Sequence, residues 1–194
     1  MKKDEVLKEF EASGAILKGH FKLSSGKHSD TYMQCARVLM SPARAEKLCK
    51  VLAEKVRATI GEVDLVVAPA MGGLIVGYET ARQLNVDSIF CERVDGEFEF
   101  RRGFVIPEGA KVLIVEDVVT TAKSSFETLE AIKAAGGNVV GEACLIDRSC
   151  GKHNLPFPLV CLTELEVAAY DEDALPPHLA GTEAIKPGSR FIVK

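Results

Sequence analysis

The sequence predicts an α/β fold in which a parallel sheet is flanked by helices and preceded by a small polar insert. From Asp64 onward, short apolar runs alternate with helical segments, the rhythm of strand–crossover–strand units. Within the runs the apolar residues are consecutive, as in strands covered on both faces. A length of 194 residues with 47% hydrophobic content suits one buried core, so 1–194 reads as a single domain.

Val6, Leu7 and Phe10 recur at helical spacing and stop at Gly14, giving a first short helix. Residues 19–37 form a polar, turn-rich insert. Ser41-Pro42 opens a second helix whose apolar face carries Leu48, Val51, Leu52 and Val56. Residues 65–68, 88–91, 111–116 and 139–146 then read as strands, and 74–84 and 125–135 as helices. Residues 159–162 add a further strand, and 170–190 form a Pro- and acid-rich tail without periodicity.

The net charge of -4 comes from 24 basic and 28 acidic residues mixed along the chain. No basic stripe is present to track a phosphate backbone, which argues against nucleic acid as a partner. Six cysteines lie scattered without a Cys-x-x-Cys pair, so they read as buried free thiols rather than a zinc or redox site. Residues 1–14 lack the apolar core of a signal peptide, and no run is long enough to span a bilayer. The expectation is a soluble, cytoplasmic protein with no membrane partner.

The strongest site signal is Lys111-Val-Leu-Ile-Val-Glu-Asp-Val-Val-Thr-Thr-Ala-Lys-Ser124. An apolar strand ends in two adjacent carboxylates, then a hydroxyl-rich loop enters a helix. Ligands bind at the carboxyl ends of strands in open parallel sheets, which places Glu116 and Asp117 at a site. The loop offers hydroxyls and backbone N–H groups where the next helix presents its positive dipole end, which suits a phosphate. The bland alternative is a capped helix beside a solvated acid pair, since Ser124 and Glu127 also fit a Ser-x-x-Glu capping box.

This stretch resembles the phosphoribosyl pyrophosphate signature of type I phosphoribosyltransferases. The resemblance implies that fold, with a small N-terminal hood formed mainly by 15–40 and the C-terminal tail. It implies that Glu116 and Asp117 hold the ribose hydroxyls, directly or through Mg2+, and that Val118, Val119, Thr120, Thr121, Ala122, Lys123 and Ser124 complete the sugar-phosphate loop. The family usually has glycine at the positions of Ala122 and Lys123.

The insert Gly19-His-Phe-Lys-Leu-Ser-Ser-Gly-Lys-His-Ser-Asp-Thr-Tyr32 resembles the hood of the orotate phosphoribosyltransferases, with Ser24 where many members have lysine and Met33 in place of a second aromatic. By that resemblance residues 24–29 surround the base and Tyr32 packs against it. Taken alone, Tyr32 reads as a core or surface residue. Arg148 stands twenty-eight residues after Thr120, the family's interval between its orotate-binding threonine and arginine. A guanidinium answers a carboxylate with two parallel hydrogen bonds, whereas an Asp147–Arg148 ion pair at a strand end would contribute little.

Ala68-Pro-Ala-Met-Gly-Gly-Leu-Ile75 is a glycine turn that in the family contacts the pyrophosphate. Glu92-Arg-Val-Asp-Gly-Glu-Phe-Glu-Phe-Arg-Arg-Gly103 occupies the place of the family's mobile loop, which closes over a neighbouring subunit's site, and reads here as a short hairpin variant. Arg93 and Arg102 are either pyrophosphate contacts or surface charge; the catalytic set implied is Asp117 with those two arginines. The whole resemblance implies a homodimeric, Mg2+-dependent transfer of ribose 5-phosphate from phosphoribosyl pyrophosphate to orotate, giving orotidine 5'-phosphate and pyrophosphate in pyrimidine (UMP) biosynthesis. It implies no preformed metal cage. A transferase for another base, or a non-catalytic phosphoribosyl pyrophosphate-binding regulator, are the alternatives.

Overall fold

In the computed structural model, residues 1–23 and 26–186 are described. Elements numbered in chain order are α1 (Lys3–Ala12), β1 (Ile16–Lys22), β2 (His28–Met33), α2 (Cys35–Leu39), α3 (Pro42–Thr59), β3 (Leu65–Pro69), α4 (Gly73–Leu84), β4 (Asp87–Val94), β5 (Glu97–Glu99), β6 (Lys111–Val119), α5 (Lys123–Ala134), β7 (Asn138–Asp147) and β8 (Leu159–Glu164).

The apolar runs pair as parallel strands because helices cover both faces. Val112, Leu113, Ile114 and Val115 of β6 are all fully buried. Their alternation sends Leu113 and Val115 toward α3 and α4, in a core with Leu48, Leu52, Val66 and Val76. Val112 and Ile114 meet Leu129 and Ile132 of α5 on the opposite face. The six-stranded order is β5-β4-β3-β6-β7-β8. All neighbours are parallel except β4 and β5, which the turn at Asp95-Gly96 joins as an antiparallel hairpin. Both turn residues have positive φ, 49° and 101°, as a tight hairpin demands. The sheet is therefore mixed by one short edge strand, where sequence periodicity indicated a parallel one.

The insert folds as a separate two-stranded sheet of β1 and β2. The aperiodic tail wraps it: Tyr170 and His28 exchange two 2.8 Å backbone hydrogen bonds, and Ile185 N–H donates to His20 O. His20 and His28, which have no partners legible in sequence, face each other here with ring nitrogens 2.6 Å apart.

Candidate active site

The site is assembled at the carboxyl end of β6. Burial and the neighbouring Asp117 charge push the Glu116 carboxyl up to about 8. Burial pushes Asp117 up as well, against a hydrogen bond from Val118 N–H to Asp117 Oδ1 at 2.8 Å. The glycine turn after β3 closes on this strand end. A Cβ at Gly72 would lie 2.9 Å from Asp117 Oδ1, so only glycine lets that backbone approach the carboxylate.

Beyond Asp117 the chain turns sharply into α5. Ala122 occupies its N-cap position in the left-handed region, φ 58°, which costs about 1–2 kcal/mol for a residue with a Cβ. Lys123 is already helical, so the second departure from the family's glycines carries no such cost. The Ser124–Glu127 capping box does not form: Ser124 lies inside the helix with Ala122 at its N-cap, and Glu127 pairs with Arg93. With no side-chain cap, the first N–H groups of α5 remain available to an anion.

Opposite this loop lie β2 and the end of β7. A cavity of about 620 Å³ is lined on one side by Asp117, Val118, Thr120, Thr121 and Lys123, and on the other by Leu23, Tyr32, Met33, Gln34 and Arg148. A shallower depression of about 550 Å³, at the amino-terminal ends of β3 and β4, holds Asp64, Arg82 and Asp87 and none of these groups. Arg148 is fixed by its backbone N–H to Val119 O at 2.8 Å. Its Nε is buried without a hydrogen-bond partner, and burial pulls its pKa down. Tyr32 packs on Phe21, ring centroids 5.8 Å apart, and burial followed by the Asp117 charge raises its hydroxyl.

The fold thus brings together Tyr32, Asp117, Val118, Thr120, Thr121, Lys123 and Arg148. Glu116, Val119 and Ala122 are buried beneath them. Ser24 lies outside the described residues, as do residues 187–190 of the tail. Ser29, expected near the base, is fully buried and donates to Ala168 O at 2.8 Å. Leu23 and Gln34 face the cavity without any sequence signal beyond their nearness to Tyr32.

Arg93 and Arg102 do not line this cavity. Arg93 pairs with Glu127, bonds Gly96 O and lies 4.3 Å over the Phe98 ring. Arg102 grips Glu92 with two bonds of 2.9 and 3.0 Å. Among the described residues, one His/Cys/Asp/Glu group has metal-ligand spacing, Asp147–Cys161–Glu164, and it includes neither Glu116 nor Asp117.

Residues 36–171 match the family model of the phosphoribosyl transferase domain. The chain is 56% identical over 190 residues to an orotate phosphoribosyltransferase of Caulobacter vibrioides, covering 98% of both chains. It is 55% identical over 194 residues to that of Sphingopyxis alaskensis, covering 99% of both. The crystal structure of orotate phosphoribosyltransferase from Aeropyrum pernix superposes with a TM-score of 0.71 at 25% identity, covering 82% of this chain and 93% of that one.

Proposed function

Since this chain belongs to the phosphoribosyl transferase domain family and, within it, to the orotate phosphoribosyltransferases, we propose how its cavity divides the work of that reaction. The enzyme is a pentosyltransferase that moves ribose 5-phosphate from phosphoribosyl pyrophosphate to orotate, giving orotidine 5'-phosphate and pyrophosphate on the route to UMP. One observation carries the assignment of the base side. Arg148 presents a half-buried guanidinium, its Nε buried and unpartnered, in the same cavity as the hydroxyl loop. A donor left bare in such a place costs free energy until an acceptor arrives, and a planar carboxylate such as orotate's is the matching acceptor. Tyr32 packs on the base, and Thr120 bonds it at the loop's mouth.

Across the cavity the 5-phosphate sits on the uncapped first turn of α5, with Thr120, Thr121 and the Ser124 N–H donating and Lys123 adding charge. Asp117 faces the ribose. As the C1–pyrophosphate bond breaks, positive charge grows on the sugar ring and negative charge on the leaving group, so the residues act by position and field. The Asp117 carboxylate favours the ring's charge. Asp117 would hold Mg2+ through the carboxylate oxygen that its neighbour's amide does not take. Bound there with the substrate, the cation would offset the negative charge of the pyrophosphate.

Arg93 and Arg102 serve the leaving group by exchanging Glu127 and Glu92 for pyrophosphate oxygens. The arm that carries them is read as closing over a neighbouring copy in a homodimer. Met71, Ile75 and Tyr78 favour that reading: they stand 80%, 49% and 67% exposed and form a stripe along α4 and the turn before it, an apolar face suited to a second copy. No helix among the described residues is long and apolar enough to cross a membrane, and the cytoplasm is the proposed compartment.

The test is loss of orotate absorbance with phosphoribosyl pyrophosphate and Mg2+, with Arg148→Ala alongside. Turnover is expected to need Mg2+, and the variant to lose about 1.5–3 kcal/mol of orotate binding, seen as a KM at least tenfold higher. Sugar-phosphate binding without orotate turnover would favour another base or a regulator.

A further inference from the structure

Two serines open α5, and buried acids lie beneath them. Ser124's hydroxyl lowers the Glu116 pKa against the rise that burial gives it. Ser125, itself fully buried, donates to Glu142 Oε1 at 2.8 Å. Glu142 lies on β7 with no exposed surface, and its Oε2 has no hydrogen-bond partner. Strand alternation puts it on the same face as Cys144, which packs with Val119 and Ala122 under the loop. The floor of the sugar-phosphate loop is therefore apolar apart from Glu116 and Glu142, and Glu142 is the carboxyl bonded into the helix's first turn.

A carboxyl in that position needs a physical reason, because burying a polar oxygen without a partner costs roughly 1–3 kcal/mol and a charge costs far more. Burial raises the Glu142 pKa to about 7, so near neutral pH it puts less negative charge beneath the phosphate than an ordinary glutamate would. What Glu142 adds is a tether the loop lacks locally. Helix α5 has no side-chain cap and no acid in its first turn, and Ala122 is strained. Nothing near in sequence holds those N–H groups in place.

We propose that Glu142 is a positioning residue for the ribose 5-phosphate, fixing the first turn of α5 through Ser125 so that its N–H groups converge on the phosphate. The proposal rests on reading Thr120 to Ser124 as the phosphate loop. Its signature is selective. The phosphate side of the cavity should weaken, while the base side, built from β2 and Arg148, should not.

The experiment compares Glu142→Ala, Glu142→Gln and Ser125→Ala in the full chain. It measures the dissociation constant of ribose 5-phosphate directly, then KM for each substrate and kcat at saturation. Glu142→Ala and Ser125→Ala are expected to weaken ribose 5-phosphate and raise the phosphoribosyl pyrophosphate KM by about tenfold, or ~1.4 kcal/mol. Their KM for orotate should hold within about threefold, and so should kcat. Glu142→Gln, which still offers Ser125 an acceptor oxygen, should restore near-normal values. If Glu142→Ala fails to fold, Ser125→Ala decides. Unchanged ribose 5-phosphate affinity in the Ala variants, or equal damage to both substrates that Gln does not repair, would overturn the proposal. A wild-type protein that bound no ribose 5-phosphate would instead overturn the phosphate-loop reading beneath it.

Discussion

The loop between β6 and α5 and the arm after β4 are assigned to the same reaction but are built in opposite ways. The loop stands on buried ground: Glu116 and Glu142 are 7% and 0% exposed, and Val119 and Ala122 are packed beneath it. The arm is a three-residue edge strand with an exposed turn, and its two candidate cations are already neutralised by Glu127 and Glu92. Preorganisation and recruitment are thereby separated. On the proposed reading, the groups assigned to the sugar phosphate are fixed before it arrives, whereas those assigned to the leaving pyrophosphate must first give up a partner. Glu127 joins the two regions, since it lies on α5, pairs with Arg93 and sits 3.8 Å from Lys123 of the loop.

The largest effect expected from breaking this arrangement comes from the fixed side. Asp117→Asn keeps an oxygen for the Val118 amide but removes the charge beside the sugar ring. Its kcat should fall by about 10²–10³-fold, with ribose 5-phosphate affinity within a few-fold of the wild type. A kcat within tenfold would remove Asp117 from the electrostatic role and leave it only a spacer against Gly72.

The recruited side predicts a smaller loss and a sharper test. Arg102→Ala should lower kcat by about tenfold to a hundredfold, or ~1.4–2.7 kcal/mol, with stability within roughly 0.5 kcal/mol because its pair with Glu92 is exposed. Co-expressing differently tagged Arg102→Ala and Asp117→Asn chains and isolating the mixed species then asks whose site the arm serves. If the arm reaches a partner's cavity, the mixed dimer has one intact site facing one intact arm, and activity returns to near half of wild type. No recovery, or a mixed species that never forms, would confine the arm to its own chain.

The difference between the two regions also explains what could be read from sequence. In 111–124 every level agrees. A continuous apolar run, two acids, a hydroxyl loop and a helix start lie within fourteen residues, so the strand, the loop that lines the cavity and the helix start are all locally encoded. Arg148 was legible through the family resemblance, which keeps its interval from Thr120, and the parallel strands β6 and β7 bring the two strand ends side by side. Glu142 was not legible. A single acid inside an apolar run has no periodic signature, and Ser125 lies on a different element. The His20–His28 contact and the tail's pairing with the insert were hidden for the same reason, since they are long-range bonds in segments without periodicity. The Ser124–Glu127 spacing misled because a capping box requires Ser at the N-cap, and Ala122 holds that position in the left-handed region. The arm's arginines could be named as cations, but their pairing with Glu92 and Glu127 depends on hairpin register.

The smallest predicted effect sharpens the contrast through stability alone. Glu116 and Glu142 have folded pKa values raised to about 8 and about 7 from an ordinary 4.5. Between pH 5 and 8 the unfolded chain has released these protons while the folded chain still holds them. The folded state therefore binds more protons, and its stability must fall as pH rises, by at most about 1.4 kcal/mol per pH unit for each group. The arm's acids act elsewhere: hydrogen bonding to Arg93 lowers the Glu127 pKa, so its contribution is complete above the ordinary range and is lost only in stronger acid. The ligand-free protein should have a lower Tm at pH 8 than at pH 5.5, with the two shifts together capping the loss at roughly 5 kcal/mol. The double variant Glu116→Gln/Glu142→Gln should flatten that slope, because neither amide titrates, while Glu127→Gln should leave it in place. A wild-type Tm that stayed level across this window, or a slope that survived the double variant, would mean that water reaches these carboxyls and that the loop's floor is no more buried than the arm.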